Sequence, residues 1–75
     1  MEHLEIKIIE EKPKTKVYSV SSKFDGTMLG KIYWLGRWRQ YVFEPVIDKE
    51  TVWSDECLLE LYGFLYKLKE DRKNV

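Results

Sequence analysis

The sequence of 75 residues is long enough for one domain and leaves no room for a second core. Hydrophobic residues make up 44% of the chain and charged residues 35%, which excludes a disordered polymer and is typical of a globular protein. The formal net charge is zero, so no overall attraction to nucleic acid or to an anionic membrane is expected.

Four strands are predicted in the first part of the chain. Leu4, Ile6 and Ile8 alternate with charged side chains, which indicates a half-buried strand over residues 3–10. Strands richer in β-branched and aromatic residues are predicted at 15–22, 28–35 and 38–44.

The connections between these strands are short, which favours an antiparallel meander. Pro13 breaks the first connection, and Asp25-Gly26 supplies the positive φ angles of a tight turn in the second. Gly36-Arg37 predicts a two-residue turn in the third. Residues 46–53 predict a loop in which Thr51-Val52-Trp53 is the only strand-like piece.

One helix is predicted over residues 55–72, with Ser54 as its N-cap. Gly63 is expected to allow a close approach of helix and sheet. The stripe expected to pack on the sheet consists of Leu58, Leu61, Tyr62, Leu65 and Leu68. The predicted fold is therefore a single α+β domain over residues 1–75, an antiparallel four-stranded β-meander packed against one C-terminal α-helix.

The two-residue turn assigns the side chains of the aromatic hairpin to two faces, because it pairs Tyr33 with Gln40. The face expected in the core carries Ile32, Trp34, Tyr41 and Phe43, and Gly30 is expected to make room there for helix residues. The face expected in solvent carries Leu29, Lys31, Tyr33, Leu35, Trp38, Gln40 and Val42.

Exposed Tyr33 and Trp38 beside a lysine are typical of a surface that stacks bases or anchors a protein partner. The predicted binding residues are Lys31, Tyr33, Arg37, Trp38, Arg39 and Gln40. An alternative interpretation has Arg39 stacked on Trp34 and Trp38 covered by the N-terminal strands or by a partner chain. We predict a non-enzymatic interaction module that binds a protein partner or a second copy of itself; the alternative is a single-stranded nucleic-acid-binding protein that uses the same face.

Charge is unevenly distributed along the chain. Residues 1–11 sum to −3, residues 12–39 to +6, residues 40–60 to −5 and residues 61–75 to +2. A positive patch is expected if the fold gathers the central basic residues, and mutual neutralisation if the strands interleave the signs.

Catalytic and metal-binding patterns are not found. Cys57 lies near the predicted helix start, where a thiolate is favoured, but His3 is the only histidine and is expected in a mobile terminus, so an inert buried thiol is favoured. The acidic residues Glu44, Asp48, Glu50, Asp55 and Glu56 lack the spacing of a calcium loop. We expect no enzyme, no cofactor and no metal.

The expected location is the cytoplasm. A single cysteine cannot form an internal disulfide, which favours a reducing compartment. The first residues lack the pattern of a signal peptide, and no apolar run is long enough to span a membrane.

The hairpin sequence resembles a motif in small uncharacterised proteins of phages and integrated mobile elements. The motif is a Leu-Gly-x-Ile-x-Trp strand followed by an Arg-Trp-Arg-x-Tyr strand, then Thr-Val and a Cys-Leu helix start. The matching residues are 29–34, 36–43, Pro45, Thr51-Val52-Trp53 and Cys57-Leu58, and the similarity covers about residues 28–70. The resemblance implies an accessory protein of a phage or mobile element, and it implies no specific function.

Overall fold

The computed structural model describes residues 2–46 and 53–73. The strands form one antiparallel sheet in the order β1-β2-β3-β4, and the helix packs on one of its faces. The predicted α+β meander closed by a C-terminal helix is confirmed, while the strand-like piece expected at Thr51-Val52 lies outside the described residues. The elements are β1 (Leu4–Glu11), β2 (Lys16–Ser22), β3 (Met28–Leu35), β4 (Gln40–Pro45) and α1 (Asp55–Lys73).

The core is small and lies between the sheet and α1. Leu4, Val20 and Ile32, one from each of the first three strands, are fully buried, and α1 contributes Leu61. Tyr18 and Leu29 complete the buried cluster, and burial of each such side chain contributes about 1.5–3 kcal/mol. Partly buried aromatic side chains at the edge of the cluster add to this packing: Tyr41, Phe43, Trp53 and Phe64.

A β-bulge places Leu29 in this core. Val20 pairs with Gly30 and Ser21 pairs with Met28, so Leu29 is the extra residue on β3. An unpaired residue shifts the alternation of side chains along its strand. The prediction that Leu29 lies on the same face as Lys31 is therefore wrong, because it assumed an unbroken alternation.

Gly30 makes room for β4 and not for the helix. A Cβ atom built on Gly30 would lie 2.4 Å from the Glu44 carbonyl oxygen and 2.6 Å from the Phe43 ring. Phe43 lies directly over Gly30 and packs edge-on against Trp53, with ring centroids 5.4 Å apart. The expectation that helix residues fill this space is corrected, since the occupant is the Phe43 ring.

The turn between β3 and β4 has four residues, and the predicted two-residue turn at Gly36-Arg37 is wrong. Leu35 pairs with Gln40, and the Leu35 carbonyl accepts hydrogen bonds from the amides of Trp38 (3.1 Å) and Arg39 (2.9 Å). Arg39 has a φ of 55°, the left-handed conformation that closes this turn. Trp38 therefore lies in the turn and not in a strand.

The longer turn moves the register by two residues, which leaves the faces unchanged. Tyr33 pairs with Val42 and not with Gln40. Ile32 is buried, and Tyr41 and Phe43 pack against the core, as expected for the face toward α1. A register error of two residues preserves which side chains point inward, whereas an error of one would have exchanged the faces.

The helix begins at the predicted residue, but a different side of it faces the sheet from the side that the sequence predicts. The Ser54 hydroxyl accepts a hydrogen bond from the Cys57 amide (3.1 Å), which is the expected N-cap. The residues that pack on the sheet are Cys57, Leu61, Phe64, Leu65 and Leu68, whereas Leu58 and Tyr62 are exposed. Gly63 does not approach the sheet, because no described atom outside its own stretch of helix lies within 4 Å of its Cβ position.

Three chain segments meet at one end of the sheet. β1 and β3 run in the same direction, so the loops that follow them, residues 12–15 and 36–39, lie at the same end. The C-terminal end of α1 lies there too, because Arg72 donates a hydrogen bond to the Lys14 carbonyl (3.3 Å). The opposite end holds the start of β1, where Glu60 of α1 accepts hydrogen bonds from the His3 and Leu4 amides.

Candidate binding surfaces

The fold places the six predicted binding residues on two different surfaces. Lys31 and Tyr33 lie on the face of the sheet away from α1, here called the far face, while Arg37, Trp38 and Arg39 lie in the β3–β4 turn. Gln40 is the first residue of β4 and is exposed.

The far face does not form the stacking platform that the sequence predicted. The Lys31 ammonium lies 3.7 Å from a Glu44 carboxylate oxygen and 5.7 Å from the centre of the Tyr33 ring. Its charge is thus partly compensated, and Tyr33 is only half exposed. Trp38, with 62% of its surface exposed, lies beyond the Leu35–Gln40 pair and is not cross-strand from Tyr33.

The fold gathers basic side chains at one end of the molecule, which we call the basic end. It combines the two loops that follow β1 and β3 with the last turns of α1. Acidic Glu11 and Asp71 also lie here, and Glu11 forms an ion pair with Lys16 at 3.9 Å. The basic end comprises Lys12, Lys14, Lys16, Arg37, Arg39, Lys69 and Arg72. Both outcomes expected for the central charges occur in part. Five of the seven basic residues in 12–39 lie at the basic end, whereas Lys31 pairs with Glu44 on the neighbouring strand.

A groove of about 500 Å³ opens at the basic end, between the β3–β4 hairpin and α1. The Arg72 guanidinium lies 3.9 Å from the centre of the Trp34 ring, and Trp34 packs edge-on against Tyr41 at 5.5 Å. The cation–π partner of Trp34 is therefore Arg72, and the interpretation that assigned this role to Arg39 is corrected. The groove walls are Trp34, Arg39, Gln40, Tyr41, Tyr62, Leu65, Tyr66, Lys69 and Arg72.

A second side of α1, which the sheet does not cover, is apolar and borders the groove through Tyr62 and Tyr66. Leu58, Leu59, Tyr62 and Tyr66, here called the outer stripe, are all at least half exposed. The Tyr62 and Tyr66 rings lie 6.1 Å apart, and the Glu70 carboxylate accepts a hydrogen bond from the Tyr66 hydroxyl and raises its pKa. Residues three and four apart share a helix face, so these four side chains form one continuous apolar surface.

His3 packs against α1. Its ring nitrogens contact two carboxylates of α1, Glu56 at 3.0 Å and Glu60 at closer range. The hydrogen bond to Glu60, reinforced by the charges of Glu60 and Glu56, raises the His3 pKa despite partial burial. Partial burial opposes ionisation of Glu60, but the hydrogen bonds from the His3 ring and from the His3 and Leu4 amides together outweigh it and lower the Glu60 pKa. The contacts join the start of β1 to α1.

Nucleophilic and metal-binding groups are not assembled in the described part of the chain. Cys57 is half-buried and packs against the core. Among residues 2–46 and 53–73, no group of three or more His, Cys, Asp or Glu side chains has the geometry to hold a metal ion. Asp48 and Glu50 of the predicted acidic cluster lie outside the described residues.

The sequence prediction missed the outer stripe because it assigned Leu58 and Tyr62 to the sheet side of α1. A signal for the correct assignment is present in the sequence. The eight apolar or aromatic residues from Leu58 to Leu68 are more than one helix face accommodates. Two apolar faces, one packed on the sheet and one exposed, account for all of them.

Comparison of the chain with models of known protein families, with curated proteins and with solved structures finds no match in any of the three. The helix of the described chain is too polar over its length to cross a membrane.

Proposed function

We propose that this chain is a non-enzymatic interaction module that binds a protein partner through the outer stripe of α1. The observation that carries the proposal is a second apolar surface on α1, which the sheet leaves uncovered. A contiguous apolar patch exposed on a protein surface is typical of an interaction site. The outer stripe replaces the sheet face around Tyr33 and Trp38 as the proposed binding surface.

The exposed aromatic rings support this assignment. Leu59 and Tyr62 are 68% and 64% exposed, and they lie next to each other on one helix face. Tyrosines are enriched at the centres of protein interfaces, because a large ring excludes water and its hydroxyl still finds a hydrogen-bond partner. By contrast, Trp38 and Phe24 are exposed singly, in separate loops at opposite ends of the sheet.

The proposal is tested by placing a photo-crosslinking phenylalanine analogue at Tyr62 and, as the matched control, at Trp38. Both positions carry exposed aromatic rings, so the local chemistry of the probe is comparable. We expect irradiation in cells to give a protein adduct from position 62 and little or none from position 38. The proposal fails if position 62 gives no protein adduct, or if position 38 gives the dominant one.

A second candidate function, the binding of single-stranded nucleic acid, is favoured by the basic end. Several cations and exposed Trp38 lie together there, and neutralised phosphates and stacked bases are the two contributions to such binding. Arg37, Trp38 and Arg39 of the sequence prediction belong to this surface, whereas Lys31 and Tyr33 do not.

This candidate is tested by the affinity for a labelled mixed-sequence single strand as a function of salt. Lys14→Glu at the basic end is expected to weaken binding and to reduce the salt slope by about one. The control Lys7→Glu makes the same change of charge on β1, away from the basic end and next to Glu5 (3.5 Å). It is expected to have little effect on the affinity for the single strand. Equal effects of the two variants, or binding that does not respond to salt, would exclude the basic end as the site.

A phage or mobile-element origin and a cytoplasmic location are parts of the same proposal, and both rest on the sequence. They are consistent with a small accessory protein that acts by binding.

A further inference from the structure

Three residues of the outer stripe, together with the charged residues on either side of them, form a row along α1 that reads the same from both ends. Asp55, Leu58, Tyr62, Tyr66 and Lys69 follow one another at spacings of three, four, four and three residues, so the row is symmetric about Tyr62. Positions three and four apart lie on one helix face. In an antiparallel pair of such rows, Asp55 faces Lys69, and Leu58 faces Tyr66.

Charge along α1 favours the same pairing. Residues 55–62 contain three acidic and no basic residues, whereas residues 63–73 contain four basic and two acidic ones. Two helices side by side in parallel would place like charges opposite each other, and antiparallel helices place opposite charges together. The charges on α1 therefore select the direction of a second α1.

We infer that two copies of this chain associate through their outer stripes, with the two α1 helices antiparallel and Tyr62 meeting its counterpart on the two-fold axis. This inference rests on the proposed function, because it names the partner of the same stripe. A two-fold interface must be complementary to itself, and the row from Asp55 to Lys69 has this property.

The apolar centre and the charged ends of the row have different roles in the pair. Leu58, Leu59, Tyr62 and Tyr66 exclude water and provide the affinity. Asp55 and Lys69 lie at the rim, where ion pairs contribute little to affinity but exclude the wrong orientation. The arrangement is thus specific in direction as well as in partner.

The test is sedimentation equilibrium on Asp55→Lys, on Lys69→Asp and on their equimolar mixture. Each variant alone places two like-charged pairs across the interface, and we expect its dimer dissociation constant to rise about tenfold over wild type. In the mixture, one pair joins the new Lys at position 55 to the new Asp at position 69, and the other joins the unchanged Lys69 and Asp55. Both pairs are then oppositely charged, so heterodimers are expected at wild-type affinity. Circular dichroism checks that each variant is folded.

Lys67→Asp is the matched control for Lys69→Asp, because it makes the same charge change on the opposite side of the same turn. It is expected to leave the dissociation constant unchanged. Equal weakening by Lys67→Asp and Lys69→Asp, or a mixture no tighter than its components, overturns the antiparallel arrangement.

Failure of this inference and failure of the proposed function are distinguishable. A wild-type chain that stays monomeric at millimolar concentration, and yet gives an adduct with a different protein from position 62, contradicts the dimer and leaves the binding stripe in place. A monomer that gives no adduct from position 62 contradicts both.

Discussion

The two long sides of α1 are similarly apolar and differ in what covers them. Leu61 and Phe64 on the inner side pack into the sheet, where Phe64 meets Tyr18 edge-on at 5.1 Å. Leu59 and Tyr62 on the outer side are 68% and 64% exposed. The sheet thus accounts for the apolar residues on the inner side of this helix. The proposed partner would account for those on the outer side.

Substitution of one leucine on each side of α1 is expected to give the largest difference in the free energy of unfolding. Leu61→Ala removes a side chain that is 7% exposed and is expected to lower the free energy of unfolding by about 2–5 kcal/mol. Leu59→Ala, at 68% exposure, is expected to change it by less than about 0.5 kcal/mol.

The measurement is urea unfolding at a dilution where the chain is monomeric. Leu61→Met keeps the volume and is expected to cost less than about 1.5 kcal/mol, so it serves if the alanine variant does not fold. Similar losses from Leu59→Ala and Leu61→Ala would contradict the assignment of the two sides.

Gly30 and Gly63 differ in the space around their Cβ positions, which is occupied at Gly30 and open at Gly63. Gly30→Ala forces a methyl group against the Glu44 carbonyl and the Phe43 ring, so a loss of about 1–3 kcal/mol in unfolding free energy is expected. Gly63→Ala meets no described atom outside its own stretch of helix within 4 Å and improves helix propensity, so a gain of about 1 kcal/mol is expected. The opposite signs are measured in the same unfolding assay, and a stabilising Gly30→Ala would contradict the packing of Phe43 over β3.

The smallest expected effect is the pH dependence at the end opposite the basic end. The folded His3 pKa is raised above its ordinary value of 6.5, so its stabilising contribution is complete below that pH and is lost as the pH rises through the folded pKa. The Glu60 pKa is lowered below 4.5, so its contribution is present above that pH and is lost as the pH falls through the folded pKa. The contact between His3 and Glu60 therefore contributes most to the stability of the fold between about pH 4.5 and 6.5.

His3→Ala is expected to flatten the decline in the urea midpoint as the pH rises above about 6.5. His3 is the only histidine, so no other imidazole contributes to that slope. An unchanged slope in His3→Ala would show that the contacts with Glu56 and Glu60 do not hold β1 to α1.

Much of the fold was predictable from local chemistry. Alternation in Leu4, Ile6 and Ile8 indicated the first strand, and Ser54 marked the start of the helix through a hydrogen bond that the structure contains. These features depend on neighbours within four residues, so they are visible in the sequence.

The remaining features depend on contacts that are distant in sequence. The bulge at Leu29 and the four-residue turn closed by Arg39 change register without leaving a clear sequence signal. The rotation of α1 is set by which side chains fit the sheet, so Phe64 displaces Tyr62 from the core. Because the outer stripe follows from that rotation, the candidate site was less predictable than the fold.

The most direct test of the central claim is the molar mass in solution of three proteins, measured by light scattering after gel filtration. Wild type and Trp38→Ala are predicted to elute at the mass of two chains, and Tyr62→Glu at the mass of one, at both low and high salt. A dimer that survives Tyr62→Glu, or one that is lost in Trp38→Ala, would contradict the claim that the outer stripe of α1 is the binding surface.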